Sequence, residues 1–190
     1  IDENGVYVDQ DFLHMFDYSL VKGDTATALK EINSIVISED FASRLFGKEE
    51  AVGKALKVNR EREVVVTGVM KSLPKNSHLQ FDYMMPMAQR LTEIPGFRDN
   101  WGSNALYTYV QLVPSADVDA FNEHIRNFLK TKSERSITEL YLQPITDIHL
   151  GEVSFVADLG GKGNKQYVTI FSIVAIFILL IACINFMNLS

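Results

Sequence analysis

The sequence predicts an α+β fold, a two-lobed domain with mostly antiparallel sheets, followed by one membrane-spanning helix. Three observations predict it. Short alternating or β-branched runs are separated by turns and single helices, without the regular βαβ repeat of a parallel sheet. The 190 residues suffice for one sizeable domain or a domain of two lobes. The stretch from Tyr167 to Met187 contains no charged residue, proline or glycine.

Taken in order, GVYVDQDFLHMFDYSLVKGD alternates briefly and then turns helical. Asp9 can cap a short helix from Gln10 to Phe16, with Phe12, Leu13 and Phe16 on one face. NSIVIS (33–38) is a β-branched strand. Ser38 then serves as the N-cap of EDFASRLFG, with Glu39 and Asp40 in the first turn and Gly47 as the stop. Phe41, Leu45 and Phe46 supply its buried side. KALKVNREREVVVTGVM reads as a hairpin turning at NRER (59–62), and Pro74 ends its second strand. QFDYMMP is a further strand closed by Pro86, followed by a short helix from Met87 to Thr92 and the loop IPGFRDNWGSN.

ALYTYVQLV (105–113) alternates and is expected as a strand ending at Pro114. SADVDAFNEHIRNFLKTK (115–132) spaces Val118, Phe121, Ile125, Phe128 and Leu129 as one helix, with acids early and lysines late. ELYLQPI (139–145) is the last strand expected.

At 1.5 Å per residue, a helix of about 20 residues from Tyr167 spans roughly 30 Å, the thickness of a bilayer's hydrocarbon core. A helix packed on a soluble core carries a polar stripe, whereas this one is apolar all round from Ile173 to Ile184. Lys162 and Lys165 stand just outside it, and Tyr167 sits at the expected interface. Asn185 and Asn188, three apart, fall on one helical face. Either the helix leaves the membrane there, or the two amides make polar contacts with a neighbouring helix.

Composition excludes several classes of function. The net charge is −6 with no Lys/Arg cluster, which argues against a nucleic-acid partner. Cys183 is the single cysteine, so one copy forms no disulfide and no multi-cysteine metal site. His14, His78, His124 and His149 share no ligand spacing. LGGKGN resembles a phosphate loop only superficially: Val156 stands where the first glycine belongs, and Gly163 follows the lysine. No G-x-S-x-G elbow is present. Glu49–Glu50 and Asp117–Asp119 lie at helix starts, where solvated carboxylates belong. No enzyme, metal or cofactor is expected of this chain.

One dense stretch, SLPKNSHLQFDYMMP, sets Pro74, Asn76, Ser77 and His78 between two strands and continues through Phe81 and Asp82. Turn chemistry accounts for these residue types, since proline fixes φ and Asn or Ser bonds back to the backbone; a binding loop is the alternative.

Four stretches in order, YVDQDFLHMFDYSLVKGD, SIVISEDFASRLFGKEEAVGKALKV, VVVTGVMKSLPKNSHLQFDYMMP and YVTIFSIVAIFILLIACINFMNLS, resemble the periplasmic core domain of MacB/FtsX-type ABC transporter permeases. The likeness is greatest to the large permeases of Bacteroidetes-like bacteria. The resemblance implies a porter-like lobe from 1–31 and 103–160, an inserted lobe at 32–102, a linker at 161–166 and a truncated transmembrane helix at 167–190. It implies a transmembrane helix before Ile1 and others after Ser190. It places the chain in the bacterial inner membrane, with the soluble domain in the periplasm.

The expected function follows from the same resemblance. A cytoplasmic ATPase partner binds and hydrolyses ATP, and the permease carries the resulting motion outward as a mechanotransmitter, for efflux or for lipoprotein or peptide export. A second permease copy is expected as a dimer partner, with a periplasmic adaptor or outer-membrane partner as a further one. The rival reading is the sensor ectodomain of a membrane-bound receptor kinase, which also joins an α+β domain to a spanning helix.

Overall fold

The computed structural model describes residues 4–58, 62–75, 77–103, 105–148 and 165–189, with the side chains of 165–166 and 188–189 excepted. Two units are distinguished, 1–142 and 143–190. Among the described residues the first holds one mixed sheet with helices, so the chain is α+β. Its strands are β1 (Gly5–Val8), β2 (Leu20–Gly23), β3 (Ser34–Ser38), β4 (Ala55–Val58), β5 (Arg62–Met70) and β6 (Tyr83–Pro86). They lie in the order β1-β6-β3-β5-β2, with β4 also on β5. Three pairings are antiparallel (β2/β5, β4/β5, β3/β6) and two parallel (β1/β6, β3/β5).

β3 organises the sheet. All five of its residues are buried, so SIVIS is a strand covered on both faces, which is why its apolar run is continuous. Side chains alternate along a strand. Val36 therefore joins a cluster with Val8, Leu13, Met70, Phe81 and Met84, while Ile35 and Ile37 join another with Phe41, Val64, Val66 and Met85. β5 accommodates this sandwich by a bulge opposite Ile35/Val36. Where β2 crosses β5, Gly23 has φ 92°, and a Cβ there would lie 2.4 Å from the Thr67 carbonyl oxygen. Only glycine permits that approach.

The helix α2 (Glu39–Phe46) forms as its sequence dictates: Ser38 Oγ accepts the Phe41 N–H at 3.2 Å, and Gly47 closes it at φ 63°. Phe41 is buried, with Leu45 and Phe46 packed around it. The hairpin β4–β5 pairs Ala55 with Val65 and Val58 with Arg62, and its turn at 59–61 lies outside the described residues. α3 (Met87–Glu93) follows β6 directly.

Several elements differ from expectation. The first helix, α1 (Phe12–Met15), is one turn only and starts beyond Asp11, without a side-chain cap. Its end is fixed by Tyr18 N–H donating to the Leu13 carbonyl and by Asp17 at φ 52°, which turns the chain into β2, a strand not foreseen. Among the described residues the expected strand 105–113 enters no strand pairing. No strand forms among them over 139–145 either, and its backbone bonds to the preceding helical stretch instead. Leu140 N–H donates to the Arg126 carbonyl at 3.1 Å, and Leu142 N–H to Asn122 Oδ1 at 2.6 Å.

The helix expected over 115–132 is broken into α4 (Val118–Ile125) and α5 (Phe128–Lys132), the break falling where Arg126 gives its carbonyl to Leu140. Asp117 caps α4 through the Ala120 N–H at 3.0 Å.

The boundary expected at residue 31/32 falls inside one layer, since β1 and β2 precede it and share the sheet with β3–β6. The second unit is dominated by α6 (Lys165–Leu189), which starts two residues before Tyr167. The stretch LGGKGN and His149 lie outside the described residues.

Candidate functional site

The dense stretch between β5 and β6 is a turn held by its own side chains. Ser77 N–H donates to the Pro74 carbonyl at 2.9 Å, and Ser77 Oγ accepts the Leu79 N–H at 3.2 Å. Gln80, which sequence reasoning passed over, clamps the loop: its Nε2 donates to the carbonyls of Pro74 (2.8 Å) and Ser77 (3.0 Å). Asn76 lies outside the described residues.

Phe81 and Asp82 tie this loop to the body. Phe81 is buried, its ring 6.1 Å from Phe12 and 6.2 Å from Tyr18, edge-on to both. Phe16 adds to the same corner, 4.7 Å from Phe12. Burial pushes the Tyr18 phenol above its ordinary pKa, against the opposing effect of its hydrogen bond with Ser77. Asp82 works through all its polar atoms. Its carbonyl accepts the Ser38 N–H at 2.8 Å and its N–H donates to the Asn4 carbonyl at 2.7 Å. Its carboxylate accepts from Arg44 at 3.2 Å and from the Asn4 N–H at 3.4 Å. A single acid thereby fastens β1, the start of α2 and the end of the loop together.

His78 meets Tyr109, another residue not singled out in advance. The Tyr109 hydroxyl lies 3.4 Å from His78 Nε2, and its ring stands edge-on to Phe16 at 5.0 Å. No local signal links positions 31 apart, so this contact is decided by the fold alone.

A second polar group sits where α3 meets the sheet. Arg62 Nη1 donates to the Tyr7 hydroxyl at 3.0 Å and its guanidinium pairs with Glu93. Arg90 lies 3.7 Å from the other Glu93 oxygen and 5.5 Å above the Tyr7 ring. These contacts pin a helix to two strands and bring together no nucleophile and base.

α6 is apolar and exposed along its described length, and Tyr167–Met187 is long and apolar enough to cross a membrane. Asn185 is exposed on it; Asn188 belongs to its last turn, with its side chain outside the description. His14 and His124 are exposed and separate. Among the described residues, no three His, Cys, Asp or Glu side chains group as metal ligands do.

Comparison with known proteins gives a consistent picture. A family model described as the MacB-like periplasmic core domain matches residues 2–128. None of the curated proteins compared matches. Among solved structures, a domain of a protein described as a permease from Porphyromonas gingivalis is 29% identical, with a TM-score of 0.55 over 66% of this chain. This chain spans 58% of that domain's length. The extracellular domain of the noncanonic ABC-type transporter YknZ from Gram-positive bacteria is 16% identical, with a TM-score of 0.51 over 73% of this chain and 69% of its own, a likeness of fold. The periplasmic region of MacB from Actinobacillus actinomycetemcomitans is 13% identical at a TM-score of 0.46, over 66% of this chain and 55% of its own.

Proposed function

This chain belongs to the family of MacB-like periplasmic core domains, and from that premise we propose that it is the extracytoplasmic part of an ABC transporter permease acting as a mechanotransmitter. The observation that carries the proposal is the presence, in one chain, of this core domain and an exposed apolar helix of membrane-spanning length. In this reading α6 crosses the bacterial inner membrane and the sheet-bearing body lies in the periplasm. A separate cytoplasmic ATPase binds and hydrolyses ATP. The resulting shift of α6 passes through residues 161–166 into the soluble domain, which moves cargo for efflux or for lipoprotein or peptide export.

A second permease copy is the proposed partner of α6, with Asn185 and Asn188 as polar contacts between helices. A periplasmic adaptor or outer-membrane protein is a further proposed partner. The division into a porter-like lobe (1–31 with 103–160) and an inserted lobe (32–102) stays part of the proposal, with the shared sheet as the constraint any such division must meet. The chain itself carries no catalysis and no cofactor in this scheme. The sensor reading has no observation of its own in its favour.

The test uses the full-length permease with its ATPase in nanodiscs. Spin labels replace the exposed Lys57 on β4 and Val168 on α6, and pulsed electron resonance measures their separation with and without ATP. A nucleotide-dependent change in the distance distribution is expected. An unchanged distribution during active ATP turnover would sink the coupling.

A further inference from the structure

We propose that α6 meets a second permease copy along one seam, Phe171, Ala175, Ile178, Ala182 and Asn185, and that the Asn185 amides of the two copies bond to each other at its inner end. The seam rests on the reading above that a second copy lies against α6, and it names the face and the residue that decide the pairing. α6 is apolar all round and its side chains are exposed from 167 to 187, so hydrophobicity alone does not say which face turns to a neighbour.

Asn185 breaks that symmetry. It lies within the apolar span Tyr167–Met187, whereas Asn188 lies beyond its end. At 1.5 Å per residue Asn185 stands about 27 Å from Tyr167, inside a hydrocarbon core of about 30 Å. Its amide has no hydrogen-bond partner among the described residues. A serine or threonine hydroxyl within a helix can bond back to the carbonyl one turn earlier, so Thr169 and Ser172 need no neighbour. An amide carries two N–H donors and an acceptor oxygen, more than the bonded backbone of its own helix takes up. A second copy inserted in the same orientation brings an identical amide to the same depth, and each amide then donates to the other's oxygen. That self-complementarity selects a copy of this chain as the occupant.

Spacing then gives the face. Counting back from Asn185, the residues Ala182, Ile178, Ala175 and Phe171 follow at steps of three, four, three and four, the a/d spacing of helices packed as a left-handed coiled coil. Ala175 and Ala182 stand one heptad apart, where small side chains let two backbones approach closely enough for the amides to meet. A single Asn on such a seam also fixes its register. Asn188 falls three residues on, beside the seam, and is a flanking contact where the helix leaves the bilayer.

The test is disulfide cross-linking in membranes that hold the full-length permease and its ATPase. In a cysteine-free background that includes Cys183→Ser, single cysteines are placed on the seam (Ala175→Cys, Ile178→Cys, Ala182→Cys) or opposite it (Ile173→Cys, Ile176→Cys, Leu180→Cys). Mild oxidation joins only thiols whose Cα atoms lie about 4.4–6.8 Å apart. Linked permease pairs are expected from the three seam positions and not from the other three. Asn185→Leu added to Ile178→Cys should lower the linked fraction about threefold or more, and Asn188→Leu should lower it less, at equal expression and ATPase activity. Linked pairs from the opposite positions overturn the seam while leaving the second copy against α6. No linked pair at any of the six positions overturns both. A linked fraction unchanged by Asn185→Leu overturns the pairing of the amides.

Discussion

Asp82 shows how much one side chain in this protein decides. Its residue type was legible as part of a dense turn, but its three partner residues, Asn4, Ser38 and Arg44, were not. Each comes from a distant stretch, and polarity alone does not say which donor a carboxylate will meet. Tyr18 carries a second consequence at this scale. Burial favours its protonated form in the folded chain, so the folded pKa lies above the unfolded one. The folded state then holds a proton that the unfolded state releases above about pH 10. Its contribution to stability is complete below that pH and is lost as pH rises through the folded value. Urea midpoints of the wild type should therefore fall more steeply than those of Tyr18→Phe above about pH 10. Parallel curves for the two proteins would contradict the assignment.

Elements formed where their signals were local. α2 was legible down to its caps, because Ser38, the acids after it and Gly47 act within one or two turns. Removing the cap by Ser38→Ala should cost about 1 kcal/mol, read as a lowered midpoint in chemical denaturation, and an unaltered midpoint would show the 3.2 Å bond to Phe41 to be idle. The failures were equally physical. ALYTYVQLV alternates as a strand does, yet a strand requires a partner backbone, and none pairs with it among the described residues. ELYLQPI found its backbone bonds on the end of α4 and on Asn122, beside the break in a helix that periodicity had read as continuous. β2 was missed because LVKG is too short to show a period, and its place on β5 depends on a glycine at close approach.

The whole molecule joins a mixed sheet and an apolar helix in one chain, and the proposed assembly of permeases depends on the second. If Asn185 and Asn188 contact a partner helix, replacing both with Leu in the full-length permease removes interhelical hydrogen bonds of about 0.6–2 kcal/mol each. The expected result is a smaller fraction of cross-linked permease pairs in membranes, and an unchanged fraction would leave the two amides as a simple exit from the bilayer. The sequence by itself determined the α+β class, the capped helix α2, the β4–β5 hairpin and the apolar span, since each is written in spacing within a short window. Only the tertiary structure decided the strand order, the sharing of one sheet across residue 31/32, the loss of two expected strands and the meeting of Tyr109 with His78. Those outcomes depend on which distant backbone or side chain arrives opposite, a choice settled by long-range pairing and burial that no local pattern encodes.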